Sequence, residues 1–245
     1  MAKVILFDLD GTLLPMDTEQ FVHNYLQVLA KKVSSCIDSA IFIKALWAAT
    51  EAMITNLDPD KSNEQVFTET FLKLTQLNKE EIWPVFDEFY SQVFPTLSHL
   101  CQPTPLAARV VEEALQQGYR VAVATNPVFP RQAILHRLTW AGVDHIPFEL
   151  VTVYEECCFT KPHRHYYEWI CETLRVQPEQ CIMVGNDMQE DMSASQAGMK
   201  TFLVEGYVID RGQPQYRVDD RGTLADLYEK LKERKGLFTP ATFGN

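Results

Sequence analysis

Four short apolar runs, Val4–Phe7, Val121–Ala124, Cys181–Val184 and Thr201–Val204, constrain the fold of this chain more than any other feature. Each is rich in β-branched or bulky residues and bounded by polar or turn residues, as a strand buried on both faces requires. Leu150–Val153 is a less continuous fifth run. Helical patterns lie between the runs. Pro105–Gln117 is stopped by Gly118, while Pro130–Trp140 and Pro162–Leu174 each open on a proline suited to a first turn. Strands alternating with helices predict an α/β fold on a parallel sheet.

The alternation lapses between Asp17 and Leu100, where only helix signals occur. Glu19–Val33 carries Phe21, Val22, Tyr25, Leu26, Leu29 and Val33 on one face, and Ser39–Ile54 is rich in Ala, Leu, Ile and Phe. Asn63–Leu77 follows the turn Asp58–Asp60, and Asn78–Phe94 should kink at Pro84. The expectation is a helical bundle over residues 17–100, inserted into a core made of residues 1–16 and 101–245. Beyond the last strand, Tyr207–Arg221 reads as a loop. Thr223 reads as the cap of a helix running to Lys235, and Gly236–Asn245 as a frayed end.

Composition narrows the function. A net charge of −11 repels nucleic acid and anionic lipid, so neither is expected as a partner. The closest two glycines are six residues apart, which removes G-x-G-x-x-G, the P-loop and G-x-S-x-G. The six cysteines include no C-x-x-C and read as reduced thiols. Val4–Phe7 is too short for the core of a signal peptide, and the uncharged stretch Phe89–Ala108 carries three prolines. The expected location is the cytoplasm.

Chemistry gathers where strands end. Asp8 and Asp10 follow the first run two residues apart, so on extended backbone both point to one spot at the strand's carboxyl end. Two close carboxylates repel unless a cation sits between them or one stays protonated, and hard oxygens at such a place suit Mg²⁺. Gly11 permits the sharp turn that follows. Thr125-Asn126 follows the second run, where a hydroxyl and a backbone N–H can hold a phosphate oxygen. Lys161, opening a helix, can neutralise a phosphoryl dianion. Gly185-Asn186-Asp187, with Glu190 and Asp191, puts more acids at a third strand end, and Asp187 is equally suited to capping a helix.

Taken in this order, the motifs resemble the haloacid dehalogenase (HAD) superfamily: D-x-D-G-T-L, an apolar strand ending in Thr, Lys-Pro, and a strand followed by Gly and spaced acids. The likeness spans about Ala2–Val204. It implies a Rossmann-like parallel sheet of order 5-4-1-2-3 with a helical C1 cap between the first and second strands. It also implies a phosphatase in which Asp8 is the nucleophile and Asp10 the general acid and base. Mg²⁺ would be held by the Asp8 carboxylate, the Asp10 main-chain oxygen and Asp187. Thr125, Asn126 and Lys161 would bind phosphate, with Asp191 and Thr12 supporting from behind. One departure is that Asn186 stands where many members have Asp. The fourth motif therefore reads either as Asp187 with Asp191 or as Asn186 with Glu190. The first is preferred because a carboxylate binds a hard cation better than an amide does.

Branches of the family separate on single residues. Dehalogenases lack the second acid of the first motif and use a cap Arg; Asp10 is present here, and the ten arginines begin at Arg109. A phosphonatase would need a cap Lys as a Schiff base, and a sugar-phosphate mutase is a further branch. A binding or regulatory protein without turnover is the reading from another class, and the intact set Asp8, Asp10, Thr125, Lys161 and Asp187 argues against it. Residues 17–100 carry 6 lysines against 12 acids, which favours a small phosphorylated metabolite with one anionic group. Asp17, His23 and Asn24 could face the cleft, as could His163 and His165.

Overall fold

A computed structural model describes residues 3–239. Five parallel strands form one sheet: β1 (Val4–Phe7), β2 (Arg120–Val123), β3 (Cys181–Gly185), β4 (Lys200–Val204) and β5 (Asp220–Gly222). Their order is β2-β1-β3-β4-β5. Leu150–Thr152 lies outside β2 through a single parallel bridge, Val123 to Val151. The five runs expected from sequence therefore stand in the 5-4-1-2-3 order. β5 is an addition at the far edge, inside the segment expected to be a loop. Its short, charged sequence, Asp220-Arg221-Gly222, carries no hydrophobic signature of a strand.

Side chains alternate across the sheet with a period of two. Ile5, Phe7, Val121, Val123, Ile182 and Val184 face one apolar cluster with α5 (Pro105–Gln116), α6 (Arg131–Ala141) and α8 (Leu224–Lys232). Val4, Leu6, Ala122, Cys181 and Met183 face another with α7 (Arg164–Leu174). Burial on both faces explains why these strands read as continuous apolar runs.

Four helices stand between β1 and α5: α1 (Thr18–Val33), α2 (Ser39–Thr55), α3 (Asn63–Thr75) and α4 (Lys79–Glu88). Each starts on a side-chain cap, from Asp17, Asp38, Ser62 and Asn78 respectively. Pro84 lies inside α4 without ending it. The helix instead widens into a π-helical turn at Phe89–Val93 and tightens into a 3₁₀ stretch at Phe94–Leu100. Phe42, Phe71 and Phe86 meet at centroid distances of 5.7–6.3 Å, and their cluster is continuous with the core on one face of the sheet.

Met16 pairs antiparallel with Cys101 where the chain leaves and re-enters the sheet layer. Asn63 Nδ2 donates to the Pro127 carbonyl (3.0 Å), and Asn56 Nδ2 to that of Cys158 (3.1 Å). At the C-terminal end, Thr223 and Asp226 form a capping box, but α8 stops at Lys232. Phe238 is buried against Tyr119 and Leu237 is half-buried, while Gly236 and Thr239 are exposed; the rest of the expected frayed end, 240–245, lies outside the described residues. Among the described residues no helix is long and apolar enough to cross a membrane.

Phe71→Ala should lower stability by about 3–5 kcal/mol, because it opens a cavity among Phe42, Phe67 and Phe86. A fall in the urea midpoint with an unchanged slope would report it.

Candidate active site

Strand register brings three chain-distant segments level. Phe7 lies opposite Val123 on one side and Val184 on the other. The residues that follow, Asp8, Ala124-Thr125 and Gly185-Asn186, therefore leave the sheet side by side at its carboxyl edge. The Asp8 amide extends the ladder to the Val184 carbonyl (2.9 Å).

Lys161 comes from the loop before α7 and closes the group. Its ammonium, 1% exposed, lies 2.8 Å from Asp8 Oδ1 and 2.6 Å from Asp191 Oδ1. Burial alone would lower the lysine pKa. Asp191 and Asp8 more than reverse this and hold it well above the ordinary value. Burial raises the Asp8 carboxyl and pushes that of Asp191 up to about 7. Asn126 braces the same loop, accepting from the Lys161 amide (3.2 Å) and donating to Glu190 Oε2 (3.0 Å). Thr125 is buried, and its carbonyl accepts from the hydroxyls of Thr152 (2.7 Å) and Tyr166 (2.8 Å).

Asp10 points toward α6. Its Oδ2 takes a 2.7 Å ion pair from Arg137 Nη1, while its Oδ1 is buried without a partner. Arg137 is itself 1% exposed, and its guanidinium lies 4.0 Å from the centre of the Phe129 ring. Burial raises the Asp10 carboxyl, with Arg137 opposing. Sequence reasoning missed Arg137, although a signal was present: it occupies the apolar stripe Ala133, Ile134, Arg137, Leu138 and Ala141 of α6.

The fourth motif divides its residues among several tasks. Asp191 Oδ1 meets the Lys161 ammonium. Asp187 accepts from the Gln189 and Glu190 amides through Oδ1 and is gripped by Arg211 Nη1 at 2.9 and 2.8 Å. Asn186 Oδ1 accepts from the Thr12 hydroxyl (2.8 Å), and Asn186 Nδ2 donates to the Tyr207 carbonyl (2.7 Å). Two glycines make this possible. A Cβ on Gly11 would lie 2.4 Å from Asn186 Nδ2, and one on Gly185 would lie 2.2 Å from Asp191 Cγ. Arg211 sits in the segment expected to be a plain loop. That segment is stitched to the site by Met188 N–H to the Ile209 carbonyl (2.9 Å) and Ile209 N–H to that of Asn186 (3.0 Å).

The acids outnumber the bases. Asp8, Asp10, Asp187, Glu190 and Asp191 face Lys161, Arg137 and Arg211. Burial and then Asp187 push Glu190 up to about 7. The donors among these acids are all oxygens, which suits a hard divalent cation in kind. As they stand, no three His, Cys, Asp or Glu side chains among the described residues are grouped to hold a metal ion. The other polar residues singled out near the motifs have local partners. Asp17 caps α1, Asn24 donates to the Gln20 carbonyl, and His163 Nε2 meets the Ile54 carbonyl at 2.7 Å. His165 lies against Phe159, and His23 pairs with Gln27 while lining the adjoining cleft.

A sequence profile described as Haloacid dehalogenase-like hydrolase matches residues 5–204. The chain belongs to that family. It is 27% identical over 238 residues to a phosphoglycolate phosphatase of Vibrio cholerae, covering 92% of this chain and 96% of the relative. It is 23% identical over 234 residues to the pyrophosphatase PpaX of Bacillus mycoides, covering 94% and 98%. Among solved structures, a HAD phosphatase from Thermococcus onnurineus shares the fold with a TM-score of 0.58, at 22% identity and with 94% and 98% of the two chains covered.

Gly185→Ala should force Asp191 away from Lys161 and lower stability by about 1–3 kcal/mol, read from thermal unfolding. Arg137→Ala, which strands Asp10 beside a vacated aromatic box, should cost about 3–5 kcal/mol in the same assay.

Proposed function

We propose that this hydrolase is a Mg²⁺-dependent phosphatase that cleaves a small phosphate monoester in two steps at Asp8. The observation that carries the reading is the buried Lys161 ammonium held between Asp8 and Asp191. A cation so placed fixes one oxygen of a nucleophilic carboxylate, leaves Oδ2 outside the ion pair, and lies beside the point where phosphoryl charge develops. The functions of the relatives, a phosphoglycolate phosphatase and a pyrophosphatase, support phosphoryl-ester or anhydride hydrolysis.

In the first step an Asp8 oxygen attacks phosphorus and the bond to the leaving oxygen breaks, giving an aspartyl-phosphate. Asp10 donates its proton to the departing alcohol. Its burial, which raises the carboxyl, favours the protonated form this requires. In the second step Asp10 takes a proton from water, the water oxygen attacks phosphorus, and Asp8 is released with inorganic phosphate. Thr125, Asn126 and Lys161 hold the phosphoryl oxygens, Asp191 positions Lys161, and Thr12 supports the fourth motif through Asn186. Mg²⁺, when bound, would supply positive charge to offset that on the phosphoryl group. The Asp8 carboxylate, the Asp10 main-chain oxygen and Asp187 would hold it, Asp187 on release from Arg211. Residues 17–100 act as the cap and residues 1–16 with 101–245 as the core, and the chain passes between them beside the Met16–Cys101 bridge. The substrate is a phosphorylated metabolite, and the free cysteines suit the reducing cytoplasm.

With p-nitrophenyl phosphate, turnover should need Mg²⁺ and vanish in excess EDTA. Asp8→Asn should abolish it, and Asp10→Asn should slow it about 10²–10⁴-fold. Residual turnover by Asp8→Asn above a few per cent of wild type would refute the covalent route. Arg211→Ala should tighten Mg²⁺ binding measured by calorimetry, because it frees Asp187.

A further inference from the structure

Two hollows meet at α1. One is a cleft of about 690 Å³ bordered by Met16, Asp17, His23 and Arg211, beside the acid cluster. The other is a cavity of about 320 Å³ enclosed by α1 to α4 and by the segments around Phe129 and Tyr154. Val22, Leu26 and Trp47 line both, so the two lie on either side of one wall. Trp47 stands half exposed at that shared wall, a large apolar surface beside the polar cleft.

The cavity differs from the cleft in chemistry. Its aromatic wall includes Tyr25, Trp47, Phe67, Trp83, Tyr90 and Phe129. Its charged residues are Glu64, Asp87 and Glu155, and among the described residues no Lys, Arg or His lines it. Aromatic faces carry negative potential and favour flat apolar groups or cations. An anion entering here would lose its hydration and meet three acids without a compensating base. The cavity is also tied to the reacting end. Phe129 lines it and takes the Arg137 guanidinium, which in turn holds Asp10.

Resting on the phosphatase reading, we propose that the cavity receives the leaving group of the substrate, and that this group is an aromatic alcohol bearing no second anion. A positive charge on it is accommodated by Glu64, Asp87 and Glu155. This sets the chain apart from relatives named for phosphoglycolate or pyrophosphate, whose substrates carry a second anionic group.

Three phenyl phosphates with matched leaving groups test the proposal on the wild-type enzyme: 4-ethylphenyl phosphate, tyramine O-phosphate and 3-(4-phosphonooxyphenyl)propanoate, with phosphoglycolate alongside. The expected kcat/KM for the ethyl and ammonium esters exceeds that for the carboxylate ester, and that for phosphoglycolate, by at least about tenfold. Equal or higher kcat/KM for either second-anion substrate would overturn it. Glu64→Gln combined with Asp87→Asn should narrow the gap between ammonium and carboxylate esters. Trp83→Leu should lower the ratio of the ethyl ester to phosphoglycolate. If none of the four esters is hydrolysed, the phosphatase reading fails on its own. The cavity is then judged by quenching of tryptophan fluorescence: tyramine binding at least about tenfold tighter than 3-(4-hydroxyphenyl)propanoate sustains it, and equal or reversed affinities reject it.

Discussion

A lysine ammonium withdrawn from water between two carboxylates is the constraint around which this structure is arranged. Such a charge is tolerated only when paired and hydrogen-bonded. Lys161 meets both demands through Asp8 and Asp191, which belong to different strand ends. Neighbouring features serve the same arrangement. Gly185 leaves room for Asp191, Asn126 anchors the Lys161 amide, and the Tyr167 hydroxyl donates to the Glu190 carbonyl at 2.6 Å, fixing the backbone that carries both acids.

The remaining charges follow a similar rule with a different outcome. Arg137 reaches Asp10 from within a helix, and Arg211 reaches Asp187 from a loop beyond β4. Arg137 restrains one acid, while Arg211 also reaches Glu190 at 3.9 Å, so that five acids share three bases. The excess of carboxyl oxygens over basic groups is the physical case for a divalent ion. The grip of Arg211 on Asp187 is the feature that such an ion would have to displace.

Polar and apolar tasks are separated in space. Acids, amides and Lys161 occupy the carboxyl edge of the sheet, while the aromatic residues of α1 to α4 line a cavity whose charged residues, among those described, are Glu64, Asp87 and Glu155. Arg137 spans the division, its guanidinium shared between an acid of the first motif and the rings of Phe129, Phe21 and Phe94. Through it the helical insertion bears directly on Asp10.

The sequence alone determined the α/β sheet, because strands buried on both faces must be continuously apolar, and the helical insertion, because its stripes repeat at helical spacing. It also determined Asp8, Asp10, Thr125 and the acids after β3 as residues of interest, since these follow apolar runs, and Lys161, since it opens a helix. It did not reveal β5, whose three residues lack a hydrophobic pattern, or the turn of α4 into a π-helix at Phe89 where Pro84 pointed to a kink. Only the tertiary structure decided which acid meets which base. Ion pairing depends on distances across 153 residues for Asp8 and Lys161 and 127 for Asp10 and Arg137, and no local periodicity encodes those separations. The same holds for the aromatic cavity: each stripe announces a buried face, but whether such faces close on one another or leave a hollow is set by how four helices pack.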